Sequence, residues 1–506
     1  MKKTILFKLL SLTLALLMLL GALCACKKSD ELSADGNGDT ETSGDEVVES
    51  VDTEINALNI LGERDLEGQT VTFFVRTGGN MWDVTSLYAD SILSDVVNDA
   101  VYDRNERLKE QYNFNIAIVE SGSTSYPMKI SNLVLAGSCT YDVVNACGYD
   151  MTKMATKGVL YDLMQVEGLN LEGEWWNTTL NKQLTVANTL YYTTGDIICE
   201  DNMAARCLFF NKTVASDVAK VDPASIYAMA EKGEWTIDKM YELASKCYND
   251  LDQVEGPSED DRFGFVGQTA ASYSFVIASG VTTTKKDAND VPYLSIGQGN
   301  DTTVIDTVTN YLNKHDAMNL TSDGLVAKIF KSGRSLFMAE VLGKISSMRK
   351  SYDIKFGVLP MPKYSTDQTS YYHYADGNCL NLLCIPTGNS AKLDTVAFVL
   401  EAMCIESTGT LNPAFYDKAL RGRFAYDVES TGMLDIILDS MYIENANLFK
   451  GDGENDMWGV INKQISTAIN EGRSVVTVVE EYGGNTPNLI SSTVEKFKDI
   501  SIAQSY

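Results

Sequence analysis

The sequence predicts an α/β fold built on a mostly parallel sheet. Three observations predict it. Short runs of β-branched and aromatic residues alternate with stretches of helical spacing over residues 71–144. The first of those strands ends in a polar, glycine-bearing loop, the usual ligand-facing end of such a sheet. Hydrophobic residues make up 44% of the 506-residue chain against 22% charged, enough for a large core. A chain of this length corresponds to roughly two to four domains, or to one large two-lobed body.

The chain begins with a basic start, Lys2, Lys3 and Lys8, followed by an apolar run from Leu9 to Leu23. That is the pattern of a secretory signal, and the run is short for a membrane span. Leu23-Cys24-Ala25-Cys26 resembles the lipobox of bacterial lipoproteins. The resemblance implies cleavage after residue 25 and a diacylated Cys26, and two acyl chains anchor stably where one does not. Residues 27–54 hold ten Asp/Glu, two Lys and many Ser, Gly and Thr. Such a stretch cannot bury enough apolar surface to order itself, so residues 26–65 are expected to form a flexible acidic tether. Its reach is about 35 Å.

The body opens with a strand, Val71-Thr72-Phe73-Phe74-Val75, leading into Arg76-Thr77-Gly78-Gly79-Asn80. A helix is expected from Ser91, because Ile92, Val96, Val97, Ala100, Val101 and Leu108 recur at helical spacing. Phe114 to Val119 and Tyr141 to Val144 read as strands. Leu184 to Asp196 reads as β-rich, followed by a strand at Leu208 to Asn211. Thr236 is placed to cap a helix that follows Trp235, whose own place is the core. Phe263 to Phe265 and Phe275 to Ile277 read as strands of a second unit. Phe356 to Pro362 is expected to be extended, since two prolines forbid a helix there. After Pro386 the spacing becomes helical through Met403 and again over Met433 to Met441.

Charge and composition exclude several functions. The net charge of −28 would repel nucleic-acid phosphates and anionic lipid. Two histidines, His315 and His373, leave little room for a multi-His metal site. Ten cysteines form no CxxC pair, so Cys379, Cys384 and their like are expected to be buried free thiols. Asp452-Gly453-Glu454-Asn455-Asp456 lacks the ligand spacing of a calcium loop and reads as a polar loop. No nucleophile elbow, Walker loop or HExxH helix appears, and no cofactor is called for.

Four stretches in order resemble the extracellular solute-binding lipoproteins of bacterial ABC importers, family 1, the group that mostly serves carbohydrates. They are Asn98 to Asn105, then Tyr141 to Val144 with Gly158 to Leu163, then Leu208 to Lys212 with Gly233 to Thr236, and finally Ser332 to Phe337 with Phe356 to Lys363. The resemblance implies a two-lobed, periplasmic-binding-protein-like α/β fold of type II with the ligand in the cleft between lobes. It implies crossings near residues 191–196 and 358–362. Lobe one would be 66–192 plus 363–405, and lobe two 197–357 plus 406–506. It further implies a monomer that takes a small-molecule solute, a sugar or oligosaccharide, and an ABC permease as partner.

A sugar offers hydroxyl edges and apolar faces, so its site needs aromatic rings beside fixed polar groups. The resemblance places lobe-one contacts at Arg76, Asn80 and Trp82, and at Asn145, Tyr149 and Asp150. Relatives carry a Trp near the latter loop where this chain has Ala146. In lobe two it points to Gln268, Tyr273 and Glu340, and at the second crossing to Tyr374 and Asp376. Asp196 ends the first crossing and joins the same set. In Trp175-Trp176, adjacent side chains point to different sides of an extended chain, so one ring can pack inside while the other faces the cleft. The competing reading is a secreted carbohydrate-active enzyme using a carboxylate pair. A non-sugar ligand such as a peptide on the same scaffold is the other alternative.

Overall fold

A computed structural model of the chain describes residues 57–77, 85–122, 126–255, 258–314, 318–321, 323–424, 428–449 and 459–504. The signal segment, Cys26, Asn80, Trp82, His315 and the acidic 452–456 loop lie outside them. The strands, in chain order, are β1 (Gln69–Val75), β2 (Phe114–Glu120), β3 (Val143–Cys147), β4 (Arg206–Asn211) and β5 (Phe263–Gln268). There follow β6 (Thr284–Lys286), β7 (Pro292–Leu294), β8 (Met318–Thr321) and β9 (Ser335–Val341). The last are β10 (Phe356–Leu359), β11 (His373–Tyr374), β12 (Asn381–Cys384) and β13 (Met441–Tyr442). Six helices matter below: α1 (Val96–Tyr112), α2 (Gly148–Ala155), α3 (Thr178–Leu184), α4 (Ser272–Ala278), α5 (Leu393–Gly409) and α6 (Thr486–Gln504).

Two sheets organise the body. The first has the order β12-β3-β1-β2, with β1 parallel to both neighbours and β12 antiparallel to β3. β1 sits inside it and buries Phe73, Phe74 and Val75 in succession, as a strand covered on both faces must. α1 and α5 pack on this sheet. Asp95 starts α1 by accepting from the amides of Val97 and Asn98, four residues later than the apolar spacing alone suggests. The second sheet has the order β10-β4-β9-β5-β8, antiparallel at β10/β4 and β4/β9 and parallel at β9/β5 and β5/β8. Each sheet with its helices is a lobe.

The chain passes between the lobes after Thr193, which still pairs with Leu383 of the first sheet, and before β4. It returns between β10, still in the second sheet, and β12. The return lies nearer Ala375, which bridges to Ala205, than the 358–362 segment. The prolines do keep that segment extended, but strand pairing with β4 draws Phe356–Leu359 into lobe two. The end of the chain departs from the expected division as well. α6 docks on lobe one, where Ser501 donates to Asp162 at 2.6 Å and Gln504 donates to the Leu160 carbonyl at 2.7 Å.

Three local expectations are corrected. Phe275 to Ile277 lies in helix α4, every residue of which is buried, and a fully buried helix has no period to read. The 184–196 stretch holds isolated bridges rather than a strand. Order begins before residue 66: Ala57–Ile60 is a 3-10 turn, Arg64 pairs with Asp394 and stacks 4.7 Å over the Phe398 ring, and Asp65 accepts from Asn113. Thr236 caps its helix through Lys239, and Trp235 is wholly buried.

Candidate functional site

Strand register builds the lobe-two half of the junction. Glu340 on β9 lies opposite Cys207 on β4, next to Arg206, and β5 ends in Gln268 beside it. Gln268 Nε2 donates to Glu340 Oε2 at 2.7 Å. Arg206 donates to Asp376 at 2.6 Å and to Glu340 at 3.5 Å. Burial would lower the Arg206 pKa, but Asp376 and Glu340 outweigh it and hold the guanidinium charged. Arg206 is 5% and Glu340 4% exposed, so this is a desolvated ionic cluster rather than a solvated surface one. Among the described residues, the Arg206 Nε, also buried, has no partner.

Asp376 belongs to the return crossing, and its amide donates to Ala204 at 3.0 Å, which ties the two crossings together. Just before it, the Tyr374 ring meets Tyr273 of α4 edge-on at 5.8 Å and its hydroxyl accepts from Asn447. The Tyr273 hydroxyl is taken by Thr283 at 2.6 Å.

Lobe one closes on the same point. Tyr149 opens α2 after β3, and its side chain bonds to Tyr374 with Asp376 close by. Burial pushes the Tyr149 phenol up, so it stays protonated. Its ring lies against Gly377, where a Cβ would stand 2.5 Å from Tyr149 Cε1; only glycine permits this approach. Arg76, at the end of β1, donates to the Asn378 carbonyl at 2.7 Å. Asp150 accepts from Cys147 Sγ at 3.3 Å and pairs with Lys153 at 3.4 Å.

Arg76, Tyr149, Gln268, Tyr273, Glu340, Tyr374 and Asp376 are thus linked at one junction, with Asp150 beside Tyr149. Asn145 is buried inside β3, where Nδ2 donates to the Leu382 carbonyl at 3.1 Å and Oδ1 has no partner among the described residues. The others lie apart. The Trp175 and Trp176 indoles donate to the two oxygens of Glu401 at 2.8 and 2.9 Å. Both are buried in lobe one with their only polar atom occupied, so neither offers the free cleft-facing ring considered from the dipeptide. Asp196 accepts from Thr408 at 2.6 Å, and burial raises its pKa. Arg206 escapes the sequence reading, though one signal was there: a cation at the head of the buried run Arg206-Cys207-Leu208-Phe209-Phe210 demands buried partners.

Among the described residues, Asp250, Asp252 and Asp261 bring carboxylate oxygens within 4.8 Å of one another. Asp261 already accepts from the Leu251 and Ser258 amides, each at 2.9 Å, so the group staples its own loop. No described helix is long and apolar enough to cross a membrane.

The cyclic alpha-maltosyl-1,6-maltose binding protein of Arthrobacter globiformis is similar in structure, with a TM-score of 0.55 at 13% identity, over 84% of this chain and 99% of that one. The extracellular solute-binding protein of Staphylococcus aureus, solved with maltose, gives 0.54 at 12%, over 84% and 98%. UgpB of Mycobacterium tuberculosis, solved with glycerophosphocholine, gives 0.51 at 13%, over 87% and 100%. At such identities these likenesses concern the two-lobed fold. No curated protein sequence matches. The family described as bacterial extracellular solute-binding protein matches residues 103–409, more than half of the chain. With strands of both sheets inside that match, the chain belongs to the bacterial extracellular solute-binding protein family.

Proposed function

We propose that this chain captures a sugar or oligosaccharide between its lobes and delivers it to an ABC permease, held to the outer face of the membrane by a diacylated Cys26. The observation that carries the reading is the junction itself. Tyrosines, two arginines, two carboxylates and an amide from both sheets meet there, which is the mixture a ring with hydroxyl edges needs. The sugar-bound and sugar-named structural neighbours support the same class. The glycerophosphocholine-bound neighbour keeps a polar non-sugar solute in any screen.

Capture of this kind needs no reaction step. It needs only a solute that binds the closed arrangement better than the open one. A thermal-shift screen of the soluble body against mono- and oligosaccharides, glycerophosphodiesters and peptides tests it. A solute at 100 times its Kd adds about 2.7 kcal/mol of stability. The bound solute should return unchanged by mass spectrometry after a day, and scattering should show a smaller radius of gyration with it. Cleaved product would overturn the binding reading in favour of an enzyme. Intact mass of the membrane-purified protein should show the diacyl adduct on Cys26, and an unmodified cysteine would remove the anchor.

A further inference from the structure

The excursion between α4 and the next lobe-two helix, Asp301–Leu312, is an antiparallel ribbon of β6 and β7. Its root is fixed. The wholly buried Glu444 accepts from the Thr283 amide at 3.0 Å and the Thr284 hydroxyl at 2.9 Å, and Ser295 closes on the Thr283 carbonyl at 2.9 Å. Its tip is shaped by Asp287, which accepts from the amides of Asn289 and Val291 at 2.8 and 2.9 Å.

The tip does not end in solvent. It reaches the turn that follows α3 in lobe one. The Asp290 carbonyl accepts from the Ala187 amide at 2.8 Å. Its carboxylate accepts from the Asn188 amide and from the Thr185 hydroxyl, each at 2.9 Å. Lys286 pairs with Asp290 at 3.0 Å and donates to the Lys182 carbonyl at 2.6 Å. The receiving turn is itself unusual. Val186 and Thr189 pair in both directions at 3.1 Å, with Ala187 and Asn188 both left-handed at φ +54° and +61°. A two-residue turn of that hand favours Asn and Gly, and an alanine there carries steric cost. The conformation aims two consecutive amides at one residue of the other lobe, one at its carbonyl and one at its carboxylate. The turn belongs to lobe one, since Leu190 behind it accepts from Leu163 at 2.7 Å and donates to Asp162 at 3.1 Å.

We propose that the 284–294 ribbon is a clasp, fastened by Asp290, that limits the motion of the lobes at a place apart from the segments that carry the chain between them. It acts without any bound solute, so it stands or falls apart from the identity of the ligand. The test uses the full soluble body with spin labels at two exposed positions, Lys129→Cys in lobe one and Lys232→Cys in lobe two. In the solute-free protein, Asp290→Ala should broaden the interlobe distance distribution. It should also speed amide exchange at Asn188, whose amide loses its carboxylate partner, by about tenfold, the loss of roughly 1.4 kcal/mol of local protection. Lys286→Met should do the same to a smaller degree. Ala187→Gly, which keeps both amides and relaxes the turn, should leave the distribution as it was. Faster exchange with an unchanged distribution would overturn the clasp and leave a local surface contact. Unchanged exchange would mean that Asp290 does not hold the turn, which overturns it as well.

Discussion

Two buried carboxylates in this molecule have opposite surroundings. Glu401 sits wholly within lobe one, and its oxygens are taken by two indoles and the Asn170 amide. Glu340 sits at the lobe junction, bonded to Gln268, to the Val341 amide and, at 3.5 Å, to an arginine whose Nε has no partner among the described residues. The first cluster is complete without a ligand, as a structural staple should be. The second draws on three chain segments and leaves a donor over, which suits a site that a polar solute completes.

The largest effect separating the two belongs to the staple. Trp176→Ala should cost about 3–5 kcal/mol of stability by denaturant titration, while the folded remainder keeps its solute affinity. An affinity loss that matched the stability loss would return Trp176 to the cleft.

A third buried carboxylate, Glu444, tests whether complete bonding is enough to keep such a group charged. Burial raises its pKa from 4.5 to about 7 despite its bonds to Thr283 and Thr284. The folded form therefore holds the proton that the unfolded form has released, and this stabilisation is full below pH 4.5 and lost as pH rises through about 7. Glu444→Gln should flatten the fall in stability over that window, by an amount on the order of 3 kcal/mol across it. A pH profile identical to that of the wild type would mean that Glu444 is charged throughout.

At the junction the expected change falls on affinity. Glu340→Ala should weaken solute binding by about 1.5–3 kcal/mol, the worth of a hydrogen bond to a charged group, as read by calorimetry with the best solute from the screen. Affinity within a factor of two of the wild type would make the Arg206 cluster purely structural. The smallest effect is Tyr149→Phe, which keeps the ring on Gly377 and removes one hydroxyl. It should cost about 0.5–1.5 kcal/mol of affinity, with the melting temperature little changed.

The sequence by itself determined the local elements whose own pattern reports their surroundings. β1 and β2 were legible from short apolar runs, the Thr236 cap from its side-chain chemistry, and Trp235 from the motif it sits in. The resemblance pointed to Gln268 and Glu340, and the register of β4, β5 and β9 brings the two together. Only the tertiary structure decided which distant groups meet. Glu401 lies 226 and 225 residues from the tryptophans it holds, and Asp376 lies 170 from Arg206. Nothing in the local spacing of either partner names the other. The same limit moved the return crossing past β10, made a helix of 272–278 and sent α6 back to lobe one. Periodicity records whether a residue is buried, whereas pairing and docking depend on free-energy differences between long-range contacts that a single stretch of chain does not contain.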